Sequence, residues 1–180
     1  MTKRKYQTLE GENIILRKAK EDDLDSIWKN VWIDKSIADN MLWEVTTTLE
    51  DAKLRLKRTI NYQKINYAYF VCLKNTNEPI GFAGIKEIDD NIYEDAGICI
   101  ATKYQRKGYG KEVVKLLQKL IFEELKGERF IYGAFSSNEN SKKVCKSQGF
   151  KYLNSTNIIR EHDNKEFVIE HFYYDKDMYK

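Results

Sequence analysis

Between residues 96 and 135 the sequence runs strand, helix, strand, and that order restricts the fold more than any other feature. Residues 96–101 (AGICIA) are a short apolar run, and a polar loop leads from them into residues 108–126. There Val114, Leu117, Ile121 and Leu125 recur every three or four positions, which places them on one face of an amphipathic helix. Gly127 is positioned to end that helix, and residues 130–135 (FIYGAF) read as a buried strand. Two strands joined through a helix lie parallel with a right-handed crossover, so an α/β or α+β sheet is expected.

The flanks extend the same plan. Residues 13–19 (NIILRKA) read as an opening strand, and Glu21, Asp22 and Asp23 start a helix continued by Leu24, Ile27, Trp28 and Val31. A second helix is expected from about Leu49 to Ile65. Residues 67–73 and 80–88 are apolar runs separated by KNTNEP, whose Asn, Thr and Pro suit a turn. A short helix near residues 140–147 follows FIYGAF, and then a hairpin of residues 156–160 with 167–174, turning at Asp163 and Asn164. The only proline is Pro79, and no linker, repeat or low-complexity tract interrupts the chain, so residues 1–180 are read as a single domain.

Composition excludes several classes. With 42 % hydrophobic and 33 % charged residues the chain has the balance of a soluble globular protein. The N-terminal MTKRKYQTLEGEN holds no apolar run for a signal peptide, and no later run suits a bilayer; a cytoplasmic protein without a membrane partner is expected. Cys72, Cys99 and Cys145 are widely spaced and odd in number, which suggests neither a disulfide framework nor a zinc site, and no metal is expected. The 31 Lys and Arg against 28 Asp and Glu leave too small a surplus for a nucleic-acid binder.

Chemistry concentrates in the loop before the amphipathic helix, at Gln105, Arg106, Lys107, Gly108, Tyr109, Gly110 and Lys111. A helix start offers unpaired backbone N–H groups and the positive end of the helix dipole, and two glycines let a phosphate approach the backbone. The competing reading is a solvated helix start with two idle glycines. Two commoner phosphate motifs fail: a dinucleotide fingerprint needs a small residue where Val113 stands, and a P-loop needs Ser or Thr where Glu112 stands.

The segment resembles the GNAT acetyltransferase family, whose Q/R-x-x-G-x-G/A pattern is met at Gln105, Gly108 and Gly110. The surroundings keep the family's order: a strand ending in Ile98, Cys99 and Ile100, the long helix, a buried strand, and Asn138 followed by Gly149 and Phe150. The opening strand, early helices and closing hairpin follow the RimJ/RimL branch, so the resemblance covers nearly the whole chain. It implies a GNAT fold with a mixed central sheet of about seven strands, splayed between the fourth and fifth (AGICIA and FIYGAF), and about four helices. It also implies acetyl-CoA as cofactor, with pyrophosphate on residues 105–111 and pantetheine in the splay. Ile98, Cys99 and Ile100 would offer backbone groups to pantetheine and the thioester oxygen, or else simply pack as core. Asn138 would hold the pantetheine amide, and it equally suits a helix N-cap. The implied reaction is direct acetyl transfer in a ternary complex to a primary amine, on a small molecule or a protein N-terminus, by a monomer or homodimer.

Two positions depart from relatives. A Glu that some carry on the FIYGAF strand falls at Gly133, and a Tyr that many place seven residues after the Asn falls at Cys145. Asp95, where the branch usually has the Glu of E-x-G, is the first candidate base, against a solvated strand end; Glu94, Glu161, His162 and Glu170 remain open. Ser141 is the candidate to meet the departing thiolate, and Cys145, one helical turn on, is either a cofactor contact or helix core. The missing Glu and Tyr keep a second function open, a GNAT-fold module that binds or senses acyl-CoA without turnover. Trp28, Trp32, Met41, Leu42 and Trp43, among Asp34, Asp39, Glu44, Glu50 and Asp51, would wall an acceptor pocket suited to a cationic amine.

Overall fold

In the computed structural model, which describes residues 8–180, one eight-stranded mixed sheet carries the other elements. β1 (Leu9–Glu10), β2 (Ile14–Arg17), β3 (Tyr67–Leu73), β4 (Pro79–Asp89) and β5 (Ile92–Ile100) form its antiparallel half. β6 (Arg129–Phe135) joins β5 in parallel, and the hairpin of β7 (Lys151–Arg160) and β8 (Lys165–Asp175) completes the order β6-β8-β7. The helices are α1 (Leu24–Ile27), α2 (Lys35–Ala38), α3 (Leu49–Ile65), α4 (Tyr109–Lys119) and α5 (Glu139–Ser147). Residues 1–7, part of the segment read for a leader, lie outside the described residues. Among the described residues no helix is long and apolar enough to cross a membrane.

The mixed α/β architecture matches the expectation from the crossover, with differences at the margins. The short β1 adds an edge strand, so the sheet has eight strands rather than about seven, and the splay falls between the fifth and sixth. Five helices replace about four because α2, a single turn capped by Asp34, was too short to show a period. β5 begins at Ile92, four residues before the apolar run AGICIA, in a hairpin with β4 that turns at Asn91 (φ 57°).

Coverage on both faces explains why β3 (YAYFVCL) is continuously apolar instead of alternating. Tyr69 and Val71 enter one core with Val113, Val114, Leu117, Leu120 and Ile121 of the α4 region. Phe70 and Cys72 enter a second core with Ile27 of α1, Val31 of the π-helical segment Trp28–Trp32 that continues it, and Ala52 and Leu56 of α3. The crossover helix expected over residues 108–126 is α-helical only to Lys119 and runs on as a π-helical segment, Leu120–Glu124. Gly127 closes it through space, because a Cβ there would lie 2.6 Å from Ile121 Cγ2 and 2.9 Å from Tyr93 Cδ2. The left-handed residue at that exit is Lys126 (φ 60°).

The sheet opens at a β-bulge. Ala83 pairs with Ile98 but Ile85 pairs with Asp95, so Ala96 and Gly97 together oppose Gly84. Gly97 has φ 101°, a conformation that side chains rarely adopt. A bulge bends its strand, and the parallel pairing of β5 with β6 ends at Glu94 and Ile131, just before this point. Beyond it the two strands diverge.

The start of α4 is fixed against β2 by Glu112. Its carboxylate accepts the N–H groups of Asn13 (2.8 Å) and Ile14 (3.1 Å) and the Asn13 amide (3.2 Å). Glu112→Ala should therefore lower unfolding stability by about 1–2 kcal/mol, read by urea denaturation. A loss below about 0.5 kcal/mol would mean that water replaces the carboxylate without cost.

Candidate active site

The glycine loop folds back on the end of β5, because Gln105 Nε2 donates to Ile100 O at 2.9 Å. Arg106 (φ 61°) and Gly108 (φ 85°) both take left-handed conformations, and Gly108 is the N-cap of α4 without a side-chain cap. The first helical bond returns from Glu112 N to Gly108 O, so the N–H groups of Tyr109, Gly110 and Lys111 have no partner within the helix. A Cβ on Gly110 would meet Val144 only at 3.6 Å, an ordinary contact, so the protein itself leaves room there. The Glu112 carboxylate, the one acid in the first turn of α4, is turned away to Asn13 and Ile14 at β2. Gln105, Arg106, Gly108, Tyr109, Gly110 and Lys111 all border a cleft of about 640 Å³ that runs to Ile98, Asn138 and Ser141. These features fit the pyrophosphate and pantetheine of CoA.

Two expected cofactor contacts do not border that cleft. Lys107 is exposed, with Nζ 5.5 Å from the Tyr104 ring centre, and reaches the loop only as a charge. Cys145 is fully buried, its Sγ 3.3 Å from Lys142 O, and burial pushes its thiol up to about 11. It belongs to the core under α5, the second of the two readings, and does not line the cleft.

In the gap, Ala101 N donates to Ile80 O at 2.7 Å, which sets the phase of the ladder. By alternation Cys99 spends its backbone groups on β4, while those of Ile98 and Ile100 face the opening. The expected trio thus narrows to Ile98 and Ile100, with the Ile100 carbonyl already taken by Gln105. Cys99 borders the cleft, but its buried thiol is pushed up to about 12.

On the other side of the gap lies a chamber of about 450 Å³ that shares Ile98, Tyr132, Asn138 and Ser141 with the cleft. Asp95 borders it. Its Oδ2 accepts Gly133 N across the splay (2.6 Å) and its Oδ1 accepts Gly97 N (3.0 Å). Burial outweighs those two bonds and raises its carboxyl to about 6. A Cβ on Gly133 would lie 3.6 Å from Asp95 Oδ2 and 3.8 Å from His171 Nδ1. Asp95 therefore puts its carboxylate beside the position where the family resemblance looks for a Glu.

The other candidate bases separate. Glu94 borders the chamber, bound to Lys86 (3.0 Å) and 3.6 Å from His171 Nδ1. Glu170 is drawn to Lys142 Nζ (3.3 Å), while Glu161 and His162 sit at the hairpin tip; none of these three borders the chamber. His171, which the sequence reading passed over, does, with Nε2 2.9 Å from Thr156 Oγ1. Its pairing with Gly133 is visible only once the register of β6 and β8 is known.

Ser141 Oγ lies 2.7 Å from the hydroxyl of Tyr132, a second residue missed from sequence, whose phenol burial holds protonated. Asn138 Oδ1 accepts Ser141 N (3.1 Å) and caps α5, which leaves its NH₂ group without a protein partner among the described residues. Both roles read for Asn138 are thus compatible.

The roof over the junction comes from the far end of the sheet. The buried Arg160 guanidinium donates to the carbonyls of Ala38 (3.4 Å), Asp39 (3.2 Å) and Met41 (3.1 Å) and is paired with Asp163 at 2.6 Å. It lies over Phe167, which stacks on Phe135 with centroids 4.6 Å apart. Of the expected acceptor wall, Trp43, Met41 and Leu42 border the chamber. Its acids do not: Asp34 caps α2 and accepts from Thr102, Asp39 pairs with Lys35, Glu50 with Lys53, and Asp51 with Thr48.

The description "Acetyltransferase (GNAT) domain" matches residues 13–151 of the chain. No curated protein matches it. Among solved structures it resembles a GNAT-family acetyltransferase from Bacillus anthracis, with TM-score 0.81 and 20 % identity over 95 % of this chain and 99 % of that one. It also resembles RimL, a ribosomal L7/L12 alpha-N-protein acetyltransferase, at TM-score 0.78 and 15 % identity, covering 94 % of each chain. The microcin C7 self-immunity acetyltransferase MccE, solved with acetyl-CoA and AMP, matches at TM-score 0.77 and 14 % identity over 92 % of this chain and 93 % of that one.

Two outcomes follow from the geometry. Gly110→Asp should abolish CoA binding with little loss of stability, because the added carboxylate stands in open space at the helix start; melting with and without CoA reads both. Asp95 is an acid whose folded pKa, about 6, exceeds an unfolded value of about 4. Its contribution is most favourable below about 4 and declines as pH rises to about 6. The stability of the protein relative to Asp95→Asn, measured by urea unfolding across pH, should fall over that window and level off above it.

Proposed function

The chain belongs to the GNAT acetyltransferase domain family, with RimJ/RimL-like ribosomal-protein acetyltransferases among its structural neighbours, and from that premise we propose that it transfers an acetyl group from acetyl-CoA to a primary amine by direct attack in a ternary complex. The observation that carries the reading is the meeting of two cavities at the splay. One ends in an anion-binding helix start, the other holds a carboxylate with raised pKa, and Ile98, Tyr132, Asn138 and Ser141 border both.

Each residue then has a task. The N–H groups of residues 109–111, with Arg106 and Lys111, hold pyrophosphate. Ile98 and Ile100 offer backbone N–H groups, and Asn138 its NH₂, along the pantetheine path. Acetyl-CoA supplies the thioester, already activated toward amines. An alkylamine with pKa about 10.4 is neutral in only about one part in a few thousand at pH 7, so its proton must be removed. Asp95, ionised above about 6 and facing the chamber, takes that proton. Ser141, backed by the Tyr132 hydroxyl, donates a hydrogen bond to the departing sulfur; a thiol of pKa about 8.5 needs little more.

The reading as a binding or sensing module rests on Gly133 and Cys145 standing where relatives have Glu and Tyr. The proximity of Asp95 Oδ2 to Gly133, and the Ser141 to Tyr132 contact, supply a carboxylate and a hydroxyl from other positions and favour turnover. The acceptor is a small-molecule amine or a protein N-terminus, the latter supported by the RimL neighbour.

Thiol release from acetyl-CoA across a panel of amines tests the activity. With a working acceptor, Asp95→Asn should lower turnover by roughly two to four orders of magnitude at nearly unchanged CoA affinity, and should abolish the acid limb of the pH profile. Ser141→Ala and Tyr132→Phe should each cost less. Wild-type turnover in Asp95→Asn at every pH would remove Asp95 from the mechanism.

A further inference from the structure

A second chamber, of about 390 Å³, opens between α3 and the sheet and shares Trp43, Tyr62, Phe82 and Ala96 with the chamber at Asp95. Its charged lining is Arg55 and Arg58, with no Asp or Glu. The Arg55 guanidinium lies 4.2 Å from the Trp43 ring centre and 4.8 Å from that of Trp32. Its hydrogen bonds go to neutral oxygens alone, Thr46 Oγ1 at 2.9 Å and Glu44 O at 3.4 Å; among the described residues no carboxylate pairs with it. Burial lowers its pKa to about 10, so it remains a cation at neutral pH. The indole N–H of Trp43, which borders both chambers, is buried without a partner among the described residues.

A half-buried cation without a counter-ion is unfavourable, and stacking on tryptophan offsets only part of that cost. Of the acids in the neighbouring turns, Glu50 and Asp51 are bound to Lys53 and Thr48, and Glu44 meets Arg55 through its backbone carbonyl rather than its carboxylate. What the chamber offers a ligand is therefore hydrogen-bond donors and positive charge within an aromatic wall. Arginine in that setting recognises carboxylate or phosphate through paired N–H donors.

We propose that this side chamber is an anion subsite of the acceptor: the amine that reaches Asp95 carries at its far end a carboxylate or phosphate, which docks on Arg55 with Arg58 beside it. The inference rests on the transfer reading above and narrows it. A small amine with an anionic tail is the substrate class, and polyamines and other multiply cationic amines are disfavoured by charge. The sequence pattern around the early tryptophans pointed the opposite way, toward acids facing a cationic amine.

The test compares wild-type thiol release with ω-amino carboxylic acids of increasing chain length, their matched carboxamides, and aminoalkyl phosphates. At the best length the carboxylate or phosphate should exceed its neutral partner by roughly tenfold or more in kcat/KM, mainly through KM, and the better of the two series identifies the anion. Arg55→Met should drive that ratio toward one, and Arg55→Lys should retain part of it. Equal use of charged and neutral tails by the wild type, or a preference that survives both Arg55→Met and Arg58→Met, would overturn the subsite. The wild-type comparison does not depend on any variant folding. Tryptophan fluorescence titrated with the same amino acids and with inorganic phosphate separates the subsite from catalysis. Saturable quenching that Arg55→Met removes, with no amine acetylated, would keep the subsite and discard the transfer reading. No saturable response to any anion, together with turnover of neutral amines, would do the reverse.

Discussion

The site depends on one irregularity in the sheet, the bulge at Ala96 and Gly97. It ends the β5 to β6 ladder after three parallel pairs and turns two hydrogen-bonded strands into the walls of a gap. Two of the backbone N–H groups at the gap find their partner in Asp95: one oxygen takes the Gly97 N–H of the bulge and the other takes the Gly133 N–H across the opening. The carboxylate that bridges the splay is thus the same one proposed above to take the amine's proton. Its burial raises its pKa to about 6, whereas two backbone donors keep it from rising further.

Around that gap the two halves of the molecule contribute unlike parts. The antiparallel half brings the Ile98 and Ile100 backbone, the aromatic residues beneath α3 and, through α4, the glycine loop at its start. The β6 to β8 half brings Tyr132, Ser141 on α5, His171 and the Arg160 roof. Arg160 joins the halves by binding three successive-region carbonyls between Ala38 and Met41, so the segment bordering both cavities is held from a hairpin tip more than a hundred residues away in sequence. A buried guanidinium fully engaged by carbonyls and Asp163 is a structural cation. Arg55, engaged only by neutral oxygens, is left with charge to offer, and the contrast separates a fastener from a recognition group.

Local physics alone determined the crossover, its amphipathic helix, the extents of α3 and β3, and the glycine loop at a helix start, because each depends on neighbours within a few residues: period, capping and backbone freedom. Asp95 and Ser141 were legible as candidate positions to the extent that a family pattern marks them, and both border the chamber at the splay. Only the tertiary structure decided which side chains meet. Cys145 lies one helical turn from Ser141, yet helix phase buries it. Asp34, Asp39, Glu50 and Asp51 near the early tryptophans satisfy caps and ion pairs at the surface, while an arginine from α3 turns inward. His171 reaches Gly133, and Tyr132 reaches Ser141, through strand register and strand-to-helix packing. Those are long-range pairings set by how apolar faces stack and backbone ladders align, and a linear sequence specifies them only through the folded whole.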